Sequence, residues 1–300
     1  MKYLWSKRVD NVGQYNLLRT EEVSNKNVIK KYIMERTNNI IWIRNTSNTL
    51  TKNTDLDFFS ELLDSLTENI ILVTGDGDRS VPSSYNKKTT QKILSHPKIL
   101  KWYSQNYDYS IQHSKLSYYP IGLDMHTVKW LPNSVSNEER RQQKIKIYLD
   151  IREEYENKKK MSIFCDAHLT NSHTRRKEVR SLLDKNKLID FLGSKISYTE
   201  IAKRYASYQF VLSPRGRGMD CHRTWEVILL GSIVIVESSP LDAMFKENNL
   251  PVVIVQNFLV LNEWTLTDLE KLKEKYLPLT NFENIKEKFD PEYWIKNHDS

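Results

Sequence analysis

Phe210-Val-Leu-Ser-Pro-Arg-Gly-Arg-Gly-Met-Asp-Cys-His-Arg-Thr-Trp-Glu226 reads as a strand, a loop with two glycines and the start of a helix. A loop at the carboxyl end of a parallel strand is where α/β sheets bind ligands. Gly216 and Gly218 remove side-chain bulk and permit positive φ, so the backbone can approach a phosphate. Asp220 fits the N-cap position of the following helix, whose free N–H groups suit an anion. His222 and Arg223 fall in the first helical turn, where the macrodipole disfavours a cation by up to about 1 kcal/mol. Compensation is expected from Asp220, from Glu226 pairing with His222 or Arg223, or from a bound diphosphate, which the planar fork of Arg215 also suits. A glycine-rich turn followed by a helix held by an Arg223–Glu226 ion pair accounts for the same spacing. The concentration of Arg215, Arg217, His222 and Arg223 directly after a buried-type strand favours the ligand.

Outward from this segment the second half continues in the same rhythm. Strands are expected over 161–165, 188–192, 210–212, 233–236 and 252–255, with helices over 175–183, 198–205, 221–230 and 241–245. Strands separated by crossover helices imply a parallel sheet covered on both faces, so the fold class is α/β. The first half shows strand-length runs at 40–43 and 69–74 around a helical pattern at 55–66, and a third run at 118–123 punctuated by Pro120 and Gly122. The polar, charged stretch 133–160 reads as a domain boundary or as a solvated helix. The expected organisation is an N-terminal domain over 1–150, a C-terminal domain over 160–262, and helices over 263–300 packing back on the junction.

Composition narrows the classes. With 39% hydrophobic and 11% aromatic residues in 300, the chain has ample core material and is not globally disordered. A net charge of +7 favours anionic partners without naming one. Cys165 and Cys221 are too few for a disulfide framework and lack zinc-site spacing, which fits a reducing compartment. No apolar stretch approaches the ~20 residues of a membrane span, and 227–236 is broken by Gly231 and Ser232. The expectation is a cytoplasmic protein whose basic face suits peripheral contact with an anionic membrane.

Pro214-Arg-Gly-x-Gly-x-Asp-x-His-Arg-x-Trp-Glu226, followed by Gly231 and the strand at 233–236, resembles the signature of exostosin-like glycosyltransferases, whose C-terminal domain binds the nucleotide sugar. Looser similarity covers about 69–261, taking in Thr74-Gly-Asp-Gly-Asp78, Tyr119-Pro-Ile-Gly-Leu-Asp124 and 241–254. The resemblance implies a GT-B fold, two Rossmann-like domains facing across a cleft. It further implies transfer with inversion, usually from a UDP-sugar donor, to a glycan or glycoconjugate hydroxyl, with no obligatory metal or further cofactor. Carried onto this sequence, Arg215 neutralises the diphosphate with the 216–221 backbone, and Glu226 accepts hydrogen bonds from the ribose hydroxyls. Asp220 and His222 face the sugar or its phosphates. Ser213, Gly216, Gly218 and Arg223 complete the expected donor site. Animal members are membrane-anchored and disulfide-bonded, and this sequence shows neither pattern.

Other candidates lie at carboxyl ends of strands. Arg175, with Arg176, Lys177 and Arg180, follows the loop 166–173 and reads as a donor contact or as a solvated helix face. No aromatics are interleaved with this cluster, so a nucleic-acid surface is not expected. Asp76 and Asp78 follow the strand at 69–74 and are candidates for the base that takes the acceptor proton. Their spacing also suits a divalent cation, and a Gly- and Asp-rich turn is ordinary loop chemistry as well. Asp124 and His126 are the second pair of base candidates. Ser238 and Ser239 suit phosphate binding or helix capping. Trp225 is expected to be buried. The alternatives to a transferase are a non-catalytic nucleotide-sugar or glycan-binding module and a basic RNA-binding protein.

Overall fold

A computed structural model describes residues 3–7, 25–45, 54–128, 136–170 and 173–296. The chain divides into two compact units, one of Met1–Ile121, Gly218–Asp220 and Lys288–Ser300, the other of Gly122–Arg217 and Cys221–Glu287. Each contains its own parallel sheet. The division falls after Ile121, upstream of the stretch 133–160 expected to carry it. Most of that stretch is a helix, α4 (Asn137–Tyr155), opened by a Ser136–Glu139 capping box. Its buried face is Lys144, Ile145, Tyr148, Ile151 and Arg152. Two of the five are cations, so hydropathy hides a face that the spacing supports.

In the first unit, β1 (Ile40–Arg44), β2 (Ile70–Gly75), β3 (Ile99–Ser104) and β4 (Leu116–Tyr118) form a parallel sheet in that order. Helices α1 (Lys26–Glu35), α2 (Asp55–Leu62) and α3 (Lys87–Ser95) accompany it. Strand β3 was not singled out by the sequence pattern, because Lys101 breaks the apolar run, while its buried residues are Ile99, Trp102, Tyr103 and Ser104. Trp102 satisfies its indole N–H on Thr74 Oγ1 at 2.9 Å. The run 118–123 is strand only at its start. At the end of β1, Arg44 makes a fully buried pair with Asp55, Nε to Oδ2 at 2.7 Å and Nη2 to Oδ1 at 3.3 Å.

The second unit agrees closely with the expected rhythm. Its strands are β5 (Lys160–Cys165), β6 (Ile189–Phe191), β7 (Tyr208–Leu212), β8 (Ile233–Glu237) and β9 (Val252–Val255). Helices α5 (Thr174–Leu183), α6 (Tyr198–Ser207), α7 (His222–Leu229) and α8 (Asp242–Glu247) connect them, and α9 (Leu266–Tyr276) follows. Ile163, Phe210, Leu212, Ile233, Ile235 and Val253 fill the core, each worth about 1.5–3 kcal/mol on full burial. Trp225 is completely buried.

The strand order is β6-β5-β7-β8-β9. From β5 the chain runs outward to β6, then returns to β7 and proceeds the other way. The two connections therefore diverge at the carboxyl ends of β5 and β7, which makes that edge the topological switch point where open α/β sheets take ligands. The loop that follows β7 is the segment at 213–221. At its far end α7 closes on Gly231 at φ +77°, a left-handed cap that glycine adopts without strain. Arg152 Nη1 donates to the Leu229 carbonyl at 2.8 Å, and Lys159 Nζ to the Leu230 carbonyl at 3.3 Å. These cations sit where the helix dipole is negative. A Cβ at Gly231 would lie 3.1 Å from Arg152 Cζ. Among the described residues no helix is long and apolar enough to cross a membrane.

Candidate functional site

At the end of β5, Asp166 receives Arg223 Nε at 3.0 Å on Oδ1, with Arg223 Nη2 at 3.2 Å and the Tyr205 hydroxyl at 3.0 Å on Oδ2. Burial alone lowers the pKa of the Arg223 guanidinium, but Asp166 and Tyr205 outweigh it and keep the group charged. The Arg223–Glu226 pair that helical spacing allowed as one alternative does not form. Both residues are on α7, but Arg223 turns to the end of β5, and Glu226 turns to α4. Arg223 Nη1 is buried without a protein partner among the described residues.

The loop after β7 is anchored at both ends. Ser213 donates its N–H to the Ile235 carbonyl at 2.9 Å, and its hydroxyl meets Thr224 Oγ1 at 2.9 Å. The N-cap of α7 is Cys221, with no side-chain cap, and no acidic residue lies in the first turn. Cys221 Sγ instead accepts the Gly216 N–H at 3.1 Å and Arg176 Nη2 at 3.4 Å. Asp220 is thus not the cap. It groups with the first unit, where its Oδ2 accepts the Ile121 N–H at 2.7 Å and its own N–H donates to Asn106 Oδ1 at 2.9 Å. Gly218 lies in that unit too, and a Cβ there would stand 2.9 Å from Asn106 Nδ2 and 3.3 Å from Asp78 Oδ1. Among the described glycines, positive φ occurs at Gly122 and Gly231, not at Gly216 or Gly218. At Gly218 the requirement for glycine comes from space, not from φ.

Arg215 is exposed and, among the described residues, its side chain bonds to carbonyls of its own loop, Nη2 to Arg217 O at 3.0 Å and Nε to Gly216 O at 3.4 Å. Among the described residues no carboxylate pairs with it. Of the arginines after β5, Arg176 reaches this loop, Nε to the Arg215 carbonyl at 3.2 Å and Nη1 to Thr170 Oγ1 at 2.9 Å. Arg175 is committed to Glu237, Nε to Oε2 at 2.7 Å with a second contact from Nη2 to Oε1. Ser238 and Ser239 shape the turn into α8 through Asp242, at 2.7 Å from Ser238 Oγ to Oδ2 and 2.9 Å from Ser239 N to Oδ1.

A second cluster in the same unit joins α7, α4 and the turn at 122–128. His222 Nδ1 lies 2.8 Å from the Gly122 carbonyl. A carbonyl only accepts, so Nδ1 carries the proton and Nε2 holds the lone pair of the neutral ring. The His126 ring meets the His222 ring edge-on with centroids 5.9 Å apart. Asp124 Oδ1 accepts the N–H groups of His126 and Thr127 at 3.0 and 3.1 Å. Lys144 Nζ donates to the Asp124 carbonyl at 2.5 Å and to Glu226 Oε1 at 2.8 Å, and the Tyr148 hydroxyl reaches the same oxygen at 3.4 Å. Lys144 and Tyr148 were not candidates from sequence. Their signal was the i, i+4, i+7 spacing of Lys144, Tyr148 and Ile151, masked by the charge of the first.

Burial pushes the Asp124 carboxyl up, but His222, Lys144 and the Thr127 hydrogen bonds outweigh it and hold it at about 2. Burial lowers His222, against smaller opposing effects of Asp124 and the Gly122 carbonyl. For Asp124 the sign follows from a folded-state value below the unfolded one. Its contribution is complete above the ordinary carboxylate range and is lost as pH falls toward 2, an effect of about 2 kcal/mol. In urea unfolding at pH 5 and pH 2, the native protein is expected to lose about that much more stability than Asp124→Asn. Equal losses would refute the electrostatic account of this carboxylate.

The other base candidates, Asp76 and Asp78, belong to the first unit. Asp76 has φ +58°, an unfavourable conformation for a residue with a Cβ. Gln105 Oε1 accepts its N–H at 2.9 Å, and Gln105 Nε2 and Asn106 Nδ2 both bind the Gly77 carbonyl, at 3.0 and 3.1 Å. Its carboxylate meets Ser6 Oγ at 3.2 Å and Lys7 Nζ at 3.4 Å, two residues that nothing in the sequence marked. The four base candidates therefore divide two and two between the units. Among the described residues no group of three or more His, Cys, Asp or Glu is placed to hold a metal ion.

No family model matches the chain, and no curated protein sequence does. Similar solved structures include the N-terminal domain of trehalose-6-phosphate phosphatase from Candida albicans, at 12% identity and TM-score 0.46 over 91% of this chain and 73% of that one. A UDP-forming α,α-trehalose-phosphate synthase from Burkholderia vietnamiensis aligns at 10% identity and TM-score 0.44, over 91% and 77%. A glycosyltransferase from Rickettsia africae aligns at 14% and TM-score 0.37, over 91% and 80%.

Proposed function

We propose that this chain is an inverting, nucleotide-sugar-dependent glycosyltransferase of exostosin-like, GT-B type, with its donor site at the carboxyl ends of β5 and β7. The observation that carries the reading is the coincidence of the switch point between β5 and β7 with the cationic loop at 213–217. An uncapped helix N-terminus follows that loop, at His222. The first-turn N–H groups of α7 and the unpaired Arg215 fork suit a diphosphate. In this reading Arg215 and the helix terminus stabilise the departing nucleoside diphosphate. Glu226 accepts hydroxyl hydrogen bonds from the donor, a UDP-sugar.

The acceptor, a glycan or glycoconjugate hydroxyl, attacks the anomeric carbon as the bond from that carbon to the diphosphate oxygen breaks. The acceptor proton passes to His222 Nε2. Asp124, held near 2, is too weak a base for that step and serves to hold the turn carrying His126. The test is binding and turnover of UDP-, GDP- and CMP-sugars by the native protein and Arg215→Ala. One nucleotide class is expected to bind, and the substitution to weaken it by about 1–3 kcal/mol. Absence of nucleotide binding in the native protein would overturn the donor site and favour a glycan- or polynucleotide-binding module.

A further inference from the structure

We infer that Lys144 is the positioning residue of this site: it pins Glu226 through one carboxylate oxygen and leaves the other as the acceptor for a ligand hydroxyl. The inference rests on the donor-site reading above and adds to it the means by which hydroxyls are distinguished. Lys144 is 1% exposed, on the inward face of α4. Its ammonium has three donors, and two are accounted for by Glu226 Oε1 at 2.8 Å and the Asp124 carbonyl at 2.5 Å. The aromatic ring of Tyr148 lies 5.2 Å from Nζ, and the Tyr148 hydroxyl reinforces the hold on Oε1 at 3.4 Å. Oε1 is therefore doubly occupied. Among the described residues Oε2 accepts no hydrogen bond, and the Glu226 side chain retains 13% exposure.

Three consequences follow from that asymmetry. The pair with Lys144 cancels the Glu226 charge locally, so a carboxylate can stand in the same helix as a diphosphate site without repelling the ligand. An ionised carboxylate accepts hydrogen bonds and donates none, so Oε2 selects a ligand that presents hydroxyl donors, such as the vicinal diol of a ribose. The shared Nζ also ties the Asp124 carbonyl, and with it the turn bearing His126, to the position of Glu226.

The test measures binding of UDP, 2′-deoxy-UDP and 3′-deoxy-UDP to the native protein, Lys144→Met, Lys144→Arg, Glu226→Gln and the double variant, with circular dichroism as the check on folding. The native protein is expected to prefer UDP by about tenfold or more, the range for a hydrogen bond to a charged group. Lys144→Met is expected to reduce that preference to about twofold, and Lys144→Arg to recover part of it, which a loss of packing alone would not do. Lys144→Met leaves a carboxylate without its partner and is the variant most prone to misfold. The double variant removes both charges and avoids that penalty. In the Glu226→Gln background, adding Lys144→Met is expected to leave the preference unchanged, because Lys144 acts through Glu226. A native-like preference in Lys144→Met, or a further loss in the double variant, overturns the positioning role while the donor site stands. Failure of the native protein to bind any of the three nucleotides overturns the UDP-sugar reading of the donor on which this inference rests.

Discussion

Asp166→Ala is expected to destabilise the protein by about 3–5 kcal/mol, the cost of leaving a buried charge without its partner. Arg223 is held by both Asp166 oxygens and by Tyr205, and its side chain is 9% exposed. With the carboxylate gone, the guanidinium must stay buried and unpaired or draw the first turn of α7 outward. Either way the helix that bears His222 and Glu226 loses its anchor on β5, so nucleotide binding should fall along with stability. Asp190→Ala is the internal comparison. The Asp190–Lys160 pair is exposed on both sides, and its loss is expected to cost no more than about 1 kcal/mol. Urea unfolding of the two variants beside the native protein measures the difference. Similar midpoints for both would show that Asp166 contributes no more than a surface ion pair.

His222→Asn is expected to lower transfer by about 10²–10⁴, the usual contribution of a general base, while nucleoside diphosphate affinity changes only a few-fold. Asparagine retains an N–H able to reach the Gly122 carbonyl but has no basic nitrogen at the Nε2 position. The native pH profile supplies the second readout. A base must be deprotonated to act, and burial lowers the His222 pKa, so kcat/KM should rise from acid pH with its midpoint below the ordinary histidine value of about 6.5. That rise should vanish in His222→Asn. A variant that loses affinity but keeps its turnover number would return His222 to donor binding and transfer the base role to His126, Asp76 or Asp78.

The sheet of the second unit was readable to within two residues at every strand end. Runs such as Phe210-Val-Leu and Ile233-Val-Ile-Val are apolar on both faces, as strands in a covered parallel sheet must be. The first unit was harder. Lys101 interrupts β3, and its burial relies on Trp102 and Tyr103, whose polar groups bond to Thr74 and to the Ile295 carbonyl. Helix α4 escaped as an inward-facing element because Lys144 and Arg152 occupy its buried face, and cations in a pattern of periodicity count against burial. They are tolerated because the carbonyls and carboxylate they meet come from other elements.

The same distinction runs through the candidate site. Local composition was enough to place a cationic, glycine-bearing loop between a buried strand and a helix, since strand and helix periods and the backbone demands of a loop are properties of neighbouring residues. Partners were a different matter. Arg223 pairs with Asp166 57 residues away, Glu226 with Lys144 82 away, and Asp220 with Ile121 99 away, where helical spacing had suggested Arg223 with Glu226 and a cap at Asp220. A side chain on α7 has several stereochemically allowed partners at i+3 and i+4. For Arg223 and Glu226, the sheet order β6-β5-β7-β8-β9 and the inward face of α4 decided between those and the ends of other elements, because buried charges go where a full set of hydrogen bonds exists.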